Sequence, residues 1–263
     1  MLEFNVLGEL EVIGGGRDLA PSAPRVKTVL ALLALNVNRV VSTETLAEEL
    51  WDDLPPRSAA TTLQTYIYQL RRILGGTVGG GAQGCDIVTR RPGYMLRTAG
   101  VRVDAAIFLD MVGEGRNLWK EERVDEAAHR LRQALELWRG PALADVRSGP
   151  RLRIHVAHLS EVRLRALELR VHAYARLGRH RELIPELRSL VAEHRLNESF
   201  HAQLIDSLSS AGRRAEALQA YQDLRHMLKT ELGLDPTPEV QRLQTEVLSG
   251  VRGGTLSSLL RAG

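Results

Sequence analysis

The chain of 263 residues holds one cysteine, Cys85, and three phenylalanines, and only Lys27, Lys120 and Lys229 among its 35 basic residues are lysines. A single thiol makes no internal disulfide, so a disulfide-stapled secreted domain is excluded and a reducing compartment is expected. No window approaches the roughly 18 uninterrupted apolar residues of a membrane span. The opening MLEFN carries an acid and no basic run ahead of an apolar stretch. Neither export nor anchoring is therefore expected, and the protein is read as cytoplasmic. The scarcity of lysine beside arginine reflects a GC-rich genome and says nothing of mechanism. What is present is ample apolar material, 44% of residues, over a length that suits about two domains.

Signatures of chemistry are missing too. GGTVGGG lacks the Lys and Ser or Thr that complete a phosphate-binding loop, and no dinucleotide fingerprint, Ser-His-Asp set or paired-carboxylate motif appears. Of eight histidines, His155 and His158 stand at i, i+3, but no second pair of ligands accompanies them, so no metal or other cofactor is expected. Cys85 follows glycines without an evident base and reads as a structural thiol. An enzyme is not expected, although a catalytic set assembled only in space leaves no such trace.

The N-terminal stretch LEFNVLGELEVIGGG alternates apolar and polar residues and predicts short antiparallel strands. Pro24 opens a helix, RVKTVLALLALN, apolar nearly all round and hence central to a core. A second helix begins at STETLAEELW, with Ser42 as N-cap and Val41 and Leu46 placed for a hydrophobic staple, and Pro55 and Pro56 are expected to end it. A third, AATTLQTYIYQLRRILGG, can be capped by Ser58 and is stopped by Gly75 and Gly76. After a glycine-rich connector, CDIVTRRPGYMLR predicts a hairpin about Arg91, Pro92 and Gly93. Three compact helices and a basic hairpin are the plan of a winged helix-turn-helix.

The third helix has an unusual polar side. At 100° per residue Leu63, Ile67, Leu70 and Leu74 form the buried stripe, with Thr61, Thr65, Tyr68 and Arg72 opposite, flanked by Gln64 and Arg71 on one side and Thr62 and Gln69 on the other. A solvated face would be rich in Glu and Lys; this one has no acid and three Thr, which helices do not favour. Thr, Gln, Tyr and Arg are side chains that bond phosphates and base edges. The first 100 residues are neutral, ten Lys plus Arg against ten acids, but within 57–97 six arginines (Arg57, Arg71, Arg72, Arg90, Arg91, Arg97) meet one acid, Asp86.

From Val103 onward the chain is amphipathic helix broken at Gly140 to Pro141, Gly149 to Pro150, Gly178, Gly212 and Gly233. Aligning ARLGRHRELIPELRSL (175–190) with SSAGRRAEALQAYQDL (209–224) superposes Gly178 on Gly212, Arg179 on Arg213, Glu182 on Glu216 and Leu187 on Tyr221, a separation of 34 that is the tetratricopeptide period. ERVDEAAHRLRQALELW (122–138) reads as the second helix of an earlier, irregular unit. Trp119, Trp138, Tyr174 and Tyr221 read as hairpin core. The fold expected is mainly α with a small β component: a winged helix-turn-helix over 1–100, then an all-α tetratricopeptide-like repeat domain over 101–263. A helical-repeat adaptor whose first domain only packs against proteins is the second reading of the same pattern.

PRVKTVLALLALNVNRVVSTETLAEELW, TTLQTYIYQLRRIL and IVTRRPGYMLR, followed by VDAAIFLDMV, EAAHRLRQALELWRGPAL and AYQDLRHMLKTELGLDPTPEVQRL, resemble in order the Streptomyces antibiotic regulatory proteins, over nearly the whole chain. The resemblance implies an OmpR-type winged helix joined to a bacterial transcriptional activation domain. It implies a transcriptional activator of secondary-metabolite (antibiotic) gene clusters. Its partners would be double-stranded promoter DNA with direct repeats near the −35 region, RNA polymerase holoenzyme including the principal sigma factor, and a second copy side by side on the DNA. The third helix becomes the recognition helix, with Thr61, Thr62, Gln64, Thr65, Tyr68, Gln69, Arg71 and Arg72 as candidate contacts. Thr89, Arg90 and Arg91 fall on the wing, and Arg25, Lys27, Thr45 and Arg57 become candidates for the DNA backbone. Larger family members add a nucleotide-hydrolysing domain; this chain ends after Leu259 and Leu260 and resembles the small type.

Overall fold

The computed structural model describes residues 2–52, 54–75, 85–98 and 100–250. Most of the glycine-rich connector and the C-terminal Leu259 and Leu260 lie outside the described residues. The chain divides into two compact units, residues 1–114 with 130–166 and residues 115–129 with 167–263.

In the first unit, strands β1 (Glu3–Asn5), β2 (Glu11–Gly14) and β3 (Arg17–Asp18) form the antiparallel run that the alternation predicts. A short strand not foreseen, named β7 below, joins β1 in parallel at Arg102–Val103. Helix α1 (Pro24–Leu35) starts on its proline and buries Val26 and every residue from Thr28 to Ala34, as an all-round apolar segment must. The two-residue strand β4 (Val41–Ser42) leads into α2 (Thr43–Trp51). Ser42 accepts a hydrogen bond from the Thr45 N–H at 3.0 Å, and Val41 and Leu46 are both buried, so cap and staple are both in place. Helix α2 stops at Trp51, where Asp52 takes φ of 52°, ahead of the two prolines. Helix α3 (Ala59–Gly75), β5 (Cys85–Arg90) and β6 (Gly93–Thr98) follow, and the second sheet has the order β4-β6-β5.

Helix α4 (Asp104–Lys120) begins directly after β7 (Arg102–Val103). Its buried Asp104 accepts from the Val6 and Leu7 N–H groups at 2.8 and 3.0 Å. Residues 139–152 return to the winged helix: Arg139 N–H donates to Leu7 O (2.8 Å) and Leu143 N–H to Val6 O (2.9 Å). Asp145 accepts from Leu10 N–H at 2.7 Å and pairs with Lys27. Glu49 on α2, 4% exposed, accepts from the N–H groups of Gly149, Arg151 and Leu152 at 2.6, 2.8 and 3.1 Å. It thereby caps the first turn of α6 (Pro150–Arg176), whose orphan N–H groups have no acid of their own nearby. Trp138 meets Phe108 edge-on at 5.4 Å.

The second unit takes in the end of α4, the start of α5 (Val124–Leu135) and the end of α6, then α7 (His180–Glu193), α8 (Glu198–Ser210) and α9 (Arg214–Leu232), with α10 (Pro238–Ser249) against α8 and α9. The repeat read from the sequence is visible in the turns. Gly178 and Gly212 have φ of 74° and 81°, and Glu122 adopts 61° at the corresponding place of the earlier pair. The residue after each returns the same bond to the preceding helix: Arg123 N–H to Leu118 O, Arg179 N–H to Tyr174 O and Arg213 N–H to Leu208 O, at 3.0, 3.0 and 2.8 Å. Two of the three turns place glycine where φ is positive; the irregular first pair uses Glu122, at a steric cost. Leu187 and Tyr221, aligned by the repeat, are both buried, while Trp119 and Tyr174 are half-buried beneath Arg176 and Arg179.

Candidate nucleic-acid interface

Helix α3 turns the stripe read from its sequence inward: Leu63, Ile67, Leu70 and Leu74 are buried. Thr61, Gln64, Thr65, Tyr68, Arg71 and Arg72 are exposed, Tyr68 by 65%, while Thr62 and Gln69 are half-buried at the margins. The Thr65 hydroxyl donates to the Thr61 carbonyl at 3.1 Å, a local bond of the kind that lets threonine sit in a helix.

The hairpin lies against these helices through buried Ile87, Tyr94 and Leu96. Arg90 pairs with Gly93 at the last rung, and the Arg91–Pro92 peptide turns the tip, leaving Thr89, Arg90 and Arg91 exposed. One side of the tip is pinned to the start of α2. Ser42 pairs with Gly93, and both the N–H and the hydroxyl of Thr43 donate to the Pro92 carbonyl, at 3.1 and 3.2 Å. A Cβ on Gly93 would stand 1.9 Å from the Val41 carbonyl oxygen, so only glycine permits this approach. Thr43 belongs to the site's support and was missed from sequence, where it looks like any first-turn residue. The other side is pinned to α3: Arg71 Nε donates to the Ile87 carbonyl at 2.7 Å and its Nη2 to the Thr89 hydroxyl at 2.9 Å.

The structure separates the basic candidates. Arg57, Arg72, Arg90 and Arg91 are exposed with no carboxylate partner among the described residues, and Asp86 faces Arg97 at 3.9 Å. Arg71 is engaged by the hairpin. Arg25 is exposed with its guanidinium 5.8 Å from the Trp51 ring. Lys27 and Thr45, expected to reach phosphates, are half-buried and engaged internally, Lys27 by Asp145 and the Thr45 hydroxyl by Ser42 at 2.8 Å. The Cys85 thiol at the base of the hairpin is pushed up to about 11 by burial, with neighbouring Asp86 adding to the rise, so it holds its proton at neutral pH.

A polar, acid-free helix beside a basic hairpin, on a three-helix core and followed by helix pairs, defines a winged helix-turn-helix transcriptional regulator. Residues 20–96 match the family described as "Transcriptional regulatory protein, C terminal", and residues 103–248 match the "Bacterial transcriptional activator domain". Regulatory protein DnrI of Streptomyces peucetius is 41% identical over 252 residues, which span 94% of this chain and 92% of that protein. Transcriptional regulator RedD of Streptomyces coelicolor is 33% identical over 94% of this chain and 71% of its own length. Regulatory protein AfsR of the same organism is 35% identical over 94% of this chain but only 24% of its own. Among solved structures, Mycobacterium tuberculosis EmbR, in complex with a low-affinity phosphopeptide, superposes with a TM-score of 0.88 at 30% identity, covering 98% of this chain and 67% of that one. The chain belongs to the Streptomyces antibiotic regulatory protein family, a family of transcriptional regulators rather than enzymes. Among the described residues no helix is long and apolar enough to cross a membrane.

Proposed function

We propose that this transcriptional activator recognises its promoter by laying α3 in the major groove, while the hairpin tip meets the neighbouring backbone or minor groove. Tyr68 and Arg72, with Thr61, Gln64 and Thr65 beside them, face the base edges; Arg57, Arg90 and Arg91 neutralise phosphates. One observation carries this reading: an exposed helix face without a single acid stands beside guanidinium groups that no carboxylate of the described chain compensates. A surface of that composition invites a polyanion. Recognition is assigned to residues 1–100 and activation to 101–263.

By the family's example, two copies sit side by side in one orientation on direct repeats near the −35 region. They recruit RNA polymerase holoenzyme through contacts that include the principal sigma factor and switch on a secondary-metabolite gene cluster. Direct repeats require a head-to-tail contact, not a two-fold dimer in solution.

Selection of duplexes from a random library by the full-length chain at physiological salt, followed by footprinting, tests the reading. A spaced direct repeat is the expected product. On that site Arg72→Ala should lose about 1–3 kcal/mol selectively, because a guanidinium that reads a base discriminates by that much. No enrichment, even with holoenzyme added, or an equal loss on every sequence, would overturn the role given to α3.

A further inference from the structure

We infer that Arg71 is a positioning residue that locks the wing to the recognition helix, so that the two DNA-contacting elements act as one rigid body. This inference rests on the reading of α3 and the hairpin as the DNA interface, but it assigns Arg71 a task other than the direct contact its place in the helix suggests.

The geometry is two-pronged. Nε donates to the Ile87 carbonyl at 2.7 Å and Nη2 to the Thr89 hydroxyl at 2.9 Å. Strand β5 is the edge of the sheet ordered β4-β6-β5, so Ile87 presents its carbonyl to α3 where another strand would otherwise pair. Arginine suits this task because its planar fork places two donors at a fixed spacing, one on the strand's backbone and one on a side chain two residues nearer the tip. Lysine has the charge without the fork.

The placement gives the contact its consequence. Arg71 directly precedes Arg72 on α3, and Thr89 directly precedes Arg90 on β5. The link therefore joins the helix to the hairpin immediately behind a candidate base-reading group and a candidate phosphate-binding group. Strand β6 is tied to α2 through Ser42, Gly93, Thr43 and Pro92, whereas β5 lies on the free side of the sheet. With Arg71 in place, docking α3 delivers Arg90 and Arg91 to the backbone without a further ordering cost.

Double-mutant cycles on the selected site separate this role from direct phosphate contact, using the full-length chain. Arg90→Ala in the otherwise unaltered protein should reduce the salt slope by about one. In the Arg71→Ala protein the same change should have much less effect, because the wing is no longer held to the DNA. Arg71→Lys should behave like Arg71→Ala. Thr89→Val, which removes an acceptor and no charge, should weaken binding in the parent and add nothing to Arg71→Ala. Footprints of Arg71→Ala should lose protection at the wing's edge of each half-site and keep it at the centre, and thermal melting of each variant confirms that it is folded.

Full retention of affinity and salt slope by Arg71→Lys would overturn the inference in favour of a direct contact. Equal effects of Arg90→Ala in both backgrounds would overturn it too. Absence of any selected site for the parent protein is a different failure, that of the DNA-binding reading itself, and it appears before any variant is made.

Discussion

In the N-terminal unit the carboxylates of Glu49 and Asp104 point inward and are taken up by backbone N–H groups, whereas on the helix pairs Glu126, Glu216 and Glu231 lie at the surface and pair with Arg123, Arg213 and Arg195. The two regions have acids and arginines in similar supply but dispose of them differently. The N-terminal unit also has surface pairs, such as Glu48 with Arg151 and Glu11 with Arg139, but Arg72, Arg90 and Arg91 stand exposed with no carboxylate partner among the described residues. On the helix pairs Arg123, Arg195 and Arg213 each meet a surface carboxylate. A neutral total over residues 1–100 is compatible with a basic interface because its acids lie elsewhere along the chain: between 57 and 97 six arginines meet one acid, Asp86, while Glu49 is buried against backbone N–H groups.

The contrast can be broken most severely at Glu49. Glu49→Ala removes the acceptor for three N–H groups, two of them on buried residues, and should destabilise the N-terminal unit by on the order of 3 kcal/mol. Urea unfolding of the full chain, with hydrogen exchange to localise the loss to residues 1–114 and 139–152, measures it. A change below about 1 kcal/mol would show that this inward carboxylate contributes no more than a surface one does.

A smaller effect sharpens the comparison through pH. All eight histidines lie between positions 129 and 226, none in the first hundred residues. On the helix pairs burial pulls His172 and His201 below their ordinary value of 6.5, against the opposing bonds to the Glu168 and Arg195 carbonyls. A folded-state value below the unfolded one means that the unfolded chain takes up more protons as the pH drops beneath 6.5. Stability of the helix pairs is therefore fully present above that value and declines as the pH falls towards the folded-state value. Melting curves between neutral and mildly acidic pH should show this slope, and His172→Phe should flatten it whatever it does to absolute stability. An unchanged slope in the variant would remove His172 from the explanation.

Local features of the fold are legible in the sequence. Pro24, the Ser42 cap, the apolar stripe of α3 and the 34-residue spacing of Gly178 and Gly212 all act through neighbours within a few residues, and periodicity reports them directly. What is not legible is the long-range use of side chains. Glu48 and Glu49 are adjacent and identical in type, yet Glu48 pairs with exposed Arg151 at 3.0 Å while Glu49 caps a helix about 100 residues away. One signal was available, since Glu49 follows buried Leu46 by three residues and so falls on the inner face of α2. For the site, the sequence identifies the exposed face of α3 and the tip of the hairpin. It does not distinguish Arg71, bonded to the strand, from Arg72, exposed with no carboxylate partner among the described residues, because both lie on the polar arc and only the position of β5 separates them.

The smallest expected effect completes the contrast. Arg195 and Glu231 meet at 2.6 Å, a distance that on a drawing suggests strength equal to that of the Glu49 bonds. Both side chains are open to solvent, at 62% and 38% exposure, so water and salt screen the attraction and two flexible side chains lose freedom in making it. Arg195→Ala should therefore shift unfolding free energy by no more than about 0.5 kcal/mol and should leave the selected DNA motif and its salt slope as they were. A loss comparable to that of Glu49→Ala would mean that the surface pairs of the helix repeats carry structural load, and the distinction between acids that build the fold and acids that neutralise its surface would fail. A change confined to DNA affinity would place a helix-pair arginine at the promoter, and recognition would then extend beyond α3 and the wing.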